Sequence, residues 1–219
     1  MTLDSYIQSL RGKSIAVIGL GVSNRPLLRL LLDAGYTVTV RDKRTREAFG
    51  EDEAAALEAA GCRLVLGDGY LAGITEDVIF RTPGLHPFTP ELAAAKARGA
   101  LLTSEMEAFF TVCPCRIIAV TGSDGKTTTT TIISELLKAQ GRRVFLGGNI
   151  GTPLLDKAPE MTSTDWAVLE LSSFQLHSMN CRPDIAVVTN VSPNHLDIHP
   201  SYEDYQTAKK QIFLSQGCA

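Results

Sequence analysis

The stretch Thr121-Gly122-Ser123-Asp124-Gly125-Lys126-Thr127-Thr128 carries the residue types that bind a nucleotide phosphate. Gly122 and Gly125 let the backbone close around an anion without a Cβ in the way. Lys126 supplies a point charge for terminal phosphates, and Thr127 offers a hydroxyl to a phosphate-bound Mg²⁺. Two residues separate the glycines where the standard phosphate loop has four, so this is a shortened relative of that motif. Glu170 closes the apolar run Trp166-Ala167-Val168-Leu169 and is a candidate Mg²⁺ ligand. His195 lies in Pro193-Asn194-His195-Leu196-Asp197, after a further apolar run. Gly147-Gly148-Asn149-Ile150-Gly151 has the composition either of a loop approaching a ligand or of an ordinary turn. Lys209 and Lys210 read, by composition, as a solvated helix face.

These residues need elements to hold them. Ile117-Ile118-Ala119-Val120 reads as a buried strand, and the apolar spacing over Ile132–Leu137 as a helix. A strand, a glycine turn and a helix N-terminus together point unpaired N–H groups and a positive dipole end at whatever occupies the turn. Further strands are expected at 143–146, 166–169 and 184–190, among about five candidate strands in this half. A helix is expected over 202–214. If the strands are parallel, Gly147–Gly151, Glu170 and His195 all fall at one sheet edge.

The first half repeats the plan. Ser14–Gly19 reads as a strand and Gly19-Leu20-Gly21-Val22-Ser23-Asn24 as a turn opening a helix that carries Leu27, Leu28, Leu30 and Leu31. Thr37–Val40 is a second strand ending at Arg41-Asp42. This is the outline of a Rossmann unit, with Asn24 at the third glycine position. From these residues alone the pocket suits a nucleotide or nucleotide-sugar, NAD included, or the turn is an ordinary βα connection. Helices at 51–60 and 90–97, strands at 63–66, 77–80 and 101–103 and a short helix at 105–110 complete a small α/β domain. Arg81-Thr82-Pro83-Gly84 would lie at its carboxyl edge, and Thr111–Pro114 reads as a linker.

The chain has 219 residues, 44% hydrophobic and 21% charged, enough for a buried core in one large or two ordinary domains. A net charge of −3 argues against a general nucleic-acid or membrane-surface binder. No run reaches the roughly 20 apolar residues of a membrane helix, and the start shows no export signal. Cys62, Cys113, Cys115, Cys181 and Cys218 are scattered, and Cys113-Pro114-Cys115 lacks a second pair for zinc. They read as reduced cytosolic thiols.

The loop 121–127 resembles the ATP loop of the Mur ligase family, which includes the folylpolyglutamate synthetases. Gly147–Gly151, Leu169-Glu170-Leu171-Ser172-Ser173-Phe174-Gln175-Leu176, residues 190–197 and Tyr205-Gln206-Thr207-Ala208-Lys209 continue the resemblance in register. They narrow it to the branch that joins D-glutamate to UDP-N-acetylmuramoyl-L-alanine through an acyl phosphate, in the cytoplasm, as a monomer. The resemblance implies an α/β chain with a Rossmann-like parallel-sheet domain (1–112) that binds the UDP-sugar. A P-loop-type central α/β domain (113–219) would bind ATP. Gly21, Val22 and Ser23 would lie at the uridine diphosphate, Asp42 and Lys43 near the uracil, with Thr82 and Gly84 in the same pocket. Asn149, Ser172, Gln175 and His195 would approach the muramoyl-alanine end. Residues Gly122, Ser123, Asp124, Gly125, Lys126, Thr127 and Thr128 would hold ATP. Lys126, Glu170, His195 and Lys209 would be catalytic. Thr127 and Glu170 would hold one Mg²⁺; His195 and a carbamate on Lys209 would hold a second.

Three residues depart from the family pattern: Asp124 where Asn is frequent, Asn194 where Asp is common, and Lys43 where a small polar residue occurs. The family's third domain is absent from these 219 residues, so the expectation is an amino-terminal fragment that does not turn over alone. Another ligase of the superfamily, a non-catalytic nucleotide binder and an NAD-dependent oxidoreductase are the rival readings.

Overall fold

The computed structural model describes residues 1–196 and 198–214. Asp197 and Cys218, both named above, lie outside the described residues. The chain divides into two compact units, residues 4–105 and residues 1–3 with 106 onward. Each is an α/β layer structure with a purely parallel sheet.

The first unit opens on a short helix α1 (Leu3–Ser9). Its strands are β1 (Ile15–Ile18), β2 (Val38–Asp42), β3 (Arg63–Leu66), β4 (Val78–Arg81) and β5 (Leu101–Thr103). Their order in space is β3-β2-β1-β4-β5. The order reverses between β1 and β4, and that switch point opens a crevice at the strands' carboxyl ends. β1 and β4 are buried along their whole lengths, as continuous apolar runs in a parallel sheet must be. α2 (Asn24–Asp33) buries Leu27, Leu28 and Leu31. α3 (Arg46–Phe49) and α4 (Glu51–Ala59) follow, then α5 (Pro90–Ala97) with Pro at its first position. Ala16, Ile18, Ile79, Leu92 and Ala95 form one core under α5.

The second unit begins with α6 (Glu105–Val112), so residues 111 and 112, expected in a linker, are helical. Thr111 Oγ1 donates to Glu107 O at 2.9 Å, extending the last turn. Its strands are β6 (Arg116–Thr121), β7 (Val144–Gly148), β8 (Trp166–Glu170) and β9 (Ile185–Val188), ordered β7-β8-β6-β9. Four strands are described where about five were expected. α7 (Lys126–Ala139) follows β6, α8 (Ser173–Leu176) follows β8, and α9 (Tyr202–Leu214) comes last.

The helix expected over Ile132–Leu137 is part of α7. Thr130 and Ser134 are its buried residues, whereas Ile132 and Leu136 are 54% and 62% exposed. Small side chains let a helix approach a sheet closely, and Ile132 and Leu136, four apart, share another face. The cysteines divide too: Cys62, Cys113 and Cys115 are free thiols, but Cys181 is disulfide-bonded. Among the described residues no helix is long and apolar enough to cross a membrane.

Candidate functional site

In the first unit the glycine turn after β1 faces a cavity of about 410 Å³. Gly21, Asp42, Lys43, Thr82 and Gly84, all expected there, line it, joined by Arg44, Tyr70 and Leu85. Gly19 has φ +77°, and a Cβ on it would meet Thr82 Cγ2 at 2.6 Å, so turn and β4 loop are packed against each other. Asn24, in place of a third glycine, donates to Gly19 O at 2.9 Å and fastens α2 to the turn. Val22 is 74% exposed at the turn's tip, beside Ser23.

Asp42 is buried and fully engaged. Its Oδ2 accepts from Leu20 N–H at 2.9 Å and Arg44 Nη2 at 2.7 Å; its Oδ1 accepts from Arg44 Nε at 2.9 Å and Arg44 N–H at 3.0 Å. Burial alone would raise its pKa, but the hydrogen bonds from Arg44 and Leu20 outweigh burial and hold it below the ordinary 3.8. The carboxylate therefore braces the turn, and the acid that in a dinucleotide site meets a ribose is already spent. Because the folded pKa is depressed, its contribution is complete above pH 3.8 and disappears as pH falls through the lower folded value. Asp42→Asn is expected to cost about 1–3 kcal/mol at pH 7 in urea unfolding. The gap to wild type should close below pH 3.8.

Two buried arginines, Arg41 and Arg81, shape the rest of this edge. Arg81 Nη1 donates to Leu85 O at 3.0 Å, holding the 82–85 loop. Arg41 pairs with Glu76 at 3.1 Å and donates to the carbonyls of Tyr70, Ala72 and Gly73.

In the second unit the carboxyl ends of β6, β8 and β9 bring together most of the residues expected there. Gly122 has φ +151°, and a Cβ on it would collide with the Thr189 hydroxyl. Thr189 Oγ1 donates to Asp124 O at 2.6 Å; Asn190 O accepts from Ser123 N–H at 2.9 Å and Asn190 Oδ1 from Asp124 N–H at 3.0 Å. The β9 end thus fixes the phosphate loop from outside. Asp124 is exposed, while Lys126 Nζ folds back to Ser123 O at 2.9 Å. Thr128 is exposed in the first turn of α7.

Beneath the loop sits Glu170, 2% exposed. Its Oε2 accepts from the Thr127 hydroxyl at 2.7 Å and its Oε1 from the Asn149 amide at 3.0 Å. Asn149 N–H also donates to Glu170 O at 2.7 Å, and a Cβ on Gly148 would strike that same carbonyl. Gly148 is needed because β7 runs so close to β8, and Gly147 because Leu154 packs against its Cα. A buried carboxylate held by neutral donors, beside a threonine hydroxyl, is an oxygen site suited to a hard divalent cation.

Lys209 is not a solvated lysine: it is 3% exposed, and its Nζ donates to Gly122 O at 2.8 Å over the Tyr205 ring. Burial, with Lys126 adding repulsion, brings its amine down to about 8. His195 has φ +54°, an uncommon conformation for a non-glycine residue, and its ring packs edge-on to Phe174 at 5.3 Å. The Asn194 side chain accepts from His195 N–H at 2.8 Å. Ser172 and Gln175 are bonded to each other in the capping box that starts α8.

Residues 13–104 match the MurD-like N-terminal domain of Mur ligases, and residues 120–218 match the Mur ligase middle domain. The chain belongs to the Mur ligase family. It is 49% identical to the UDP-N-acetylmuramoylalanine--D-glutamate ligase of Ruminiclostridium cellulolyticum and 50% identical to that of Acetivibrio thermocellus, over 98% of this chain in both comparisons. The chain spans 46% of the length of each. The structure of a UDP-N-acetylmuramate:L-alanyl-gamma-D-glutamyl-meso-diaminopimelate ligase from Neisseria meningitides aligns over 91% of this chain and 67% of that one. Its TM-score is 0.51 at 20% identity, a likeness of fold.

This Mur ligase chain also contains a polar group that its sequence did not suggest. Asp204, in the first turn of α9, lies 2.6 Å from His199 Nδ1 and 3.0 Å from His177 Nε2; His199 Nε2 lies 3.0 Å from Ser173 Oγ. Burial would raise the Asp204 pKa, but the His199 and His177 contacts win and lower it. The cluster ties α8 to α9, the helix that carries Lys209. Ser123 Oγ meets Tyr205 OH at 2.9 Å, a second tie from the phosphate loop to α9.

Proposed function

We propose that this chain serves the ATP-dependent ligation of D-glutamate to UDP-N-acetylmuramoyl-L-alanine, a step in cytoplasmic peptidoglycan-precursor synthesis. The observation that carries this reading is Glu170 held between Thr127 and Asn149 under a lysine-bearing phosphate loop. Identity of about half to named D-glutamate ligases supports the choice of substrate. In the proposed reaction the sugar-peptide's terminal carboxylate takes the γ-phosphoryl group of ATP. The amine of D-glutamate then displaces phosphate from the acyl phosphate and forms the amide.

The residues divide by role. Gly122, Ser123, Asp124, Gly125 and Thr128 wrap the phosphates with backbone groups, and Lys126 swings from Ser123 O to meet their charge. Thr127 and Glu170 would hold one Mg²⁺; His195 and a carbamylated Lys209 would hold a second. Bound there, Mg²⁺ neutralises charge as an anion attacks a polyanion. Lys209 fits carbamylation, because a buried amine brought to about 8 is more often neutral near pH 7 than an ordinary lysine. Gly21, Val22, Ser23, Lys43, Thr82 and Gly84 would hold the uridine diphosphate, with Asp42 keeping the turn in shape. Asn149, Ser172, Gln175 and His195 would face the muramoyl-alanine end. The protein would act as a monomer.

Calorimetry tests the substrate assignment. UDP-N-acetylmuramoyl-L-alanine should bind the chain one to one, and NADH should give no heat. Binding of NADH, with none of the UDP-sugar, would refute it.

A further inference from the structure

Cys113 and Cys115 take no part in the nucleotide chemistry, yet they are placed with care. Cys113 follows α6, where its N–H donates to Phe109 O at 2.8 Å. Pro114 has a fixed φ and so limits how the two cysteines can separate. Cys115 leads directly into β6. The two Sγ atoms lie 3.3 Å apart, and both thiols are free. A third sulfur completes the group: Met161 Sδ is 3.9 Å from Cys115 Sγ. Met161 ends a 3₁₀ turn (Leu155–Glu160), with its N–H bonded to Ala158 O at 3.1 Å. Cys115 and Met161 are 7% and 6% exposed, while Cys113 is half-buried and gives a way in from solvent.

We infer that Cys113, Cys115 and Met161 form a three-sulfur site for a soft monovalent cation, Cu(I). Thiolate and thioether donors select Cu(I) over the hard cations that suit Glu170 and Thr127. Structural zinc asks for four ligands, and the spacing supplies three. Cys113 and Cys115 are free thiols, and a copper site uses both together with the Met161 thioether. The electrostatics agree. The contact between the two thiols pushes Cys113 up and Cys115 down; Asp184 beside Cys113 and Asp165 beside Cys115 further oppose added negative charge. A second thiolate there needs a cation beside it. Loading is a ligand exchange without oxidation: Cu(I) forms one bond to each thiolate and accepts the neutral thioether, while the two thiols release two protons.

The reduced chain should be titrated anaerobically with Cu(I) against a chromophoric chelator such as bicinchoninate. One Cu(I) per chain should be retained, with a thiolate-to-copper absorption in the ultraviolet. Cys113→Ser should weaken retention about 100-fold and Met161→Leu roughly tenfold. Met161→Leu conserves volume and should keep the unfolding midpoint of wild type. Cys62→Ser and Cys181→Ser should leave retention unchanged. Copper left wholly with the chelator, or retention indifferent to both Cys113→Ser and Met161→Leu, would each overturn the assignment.

Discussion

Arg41→Met is expected to cost the first unit about 3–5 kcal/mol, read from urea unfolding. Arg41 and Glu76 are 3% and 6% exposed at the side chain, so removing one leaves the other charge buried without its partner. The same guanidinium satisfies the carbonyls of Tyr70, Ala72 and Gly73, and these would also be orphaned. The loop that contributes Tyr70 to the cavity wall should loosen, so UDP-sugar binding should fall with stability. Arg41→Met with Glu76→Leu should recover part of the loss, since an apolar pair does not pay for an unpaired charge. A single-variant cost below about 1 kcal/mol would show that water reaches this pair.

Gly122→Ala should remove nucleotide binding and destabilise the second unit by about 1–3 kcal/mol. Its Cβ would overlap the Thr189 hydroxyl and press on Asn190 O at 3.1 Å and Asn190 N at 3.2 Å. Thr189 cannot turn away without releasing Asp124 O. Gly125→Ala is the comparison: φ is +75°, but nothing lies within 4 Å, so only backbone strain applies. The expected ranking in thermal unfolding is wild type, then Gly125→Ala, then Gly122→Ala. The reverse order would mean that the β9 end does not fix the loop.

Much of this was legible from residue order. Parallel sheets bury their strands on both faces, so β1, β4, β6 and β8 appear as unbroken apolar runs, and glycines mark the turns after them. Glu170 was found because it ends such a run. The position of Asn149 was found, but not its bond to Glu170, since that depends on β7 lying beside β8. What stayed hidden depends on neighbours remote in sequence. Lys209 looks like a surface charge until the carbonyl it serves is in place, and the carbonyls that Arg41 and Arg81 bind inside the fold were not legible either. In α7 the helix was legible but not its buried face, where Thr130 and Ser134 lie with the half-buried Ile133 and Leu137 while Ile132 and Leu136 are exposed. Asp42 lines the expected cavity, but its bonds to Arg44 and Leu20 were not legible from residue order. The state of Cys181 could not be read from the spacing of cysteines.

We propose that the phosphate loop and Glu170, joined through Thr127, form one Mg²⁺–nucleotide site. Titration of the chain with ATP, with and without Mg²⁺, tests it most directly. Binding should require Mg²⁺ and should be lost in both Lys126→Ala and Glu170→Gln, with far-ultraviolet circular dichroism unchanged. ATP binding that needs no Mg²⁺ and survives Glu170→Gln would contradict the account.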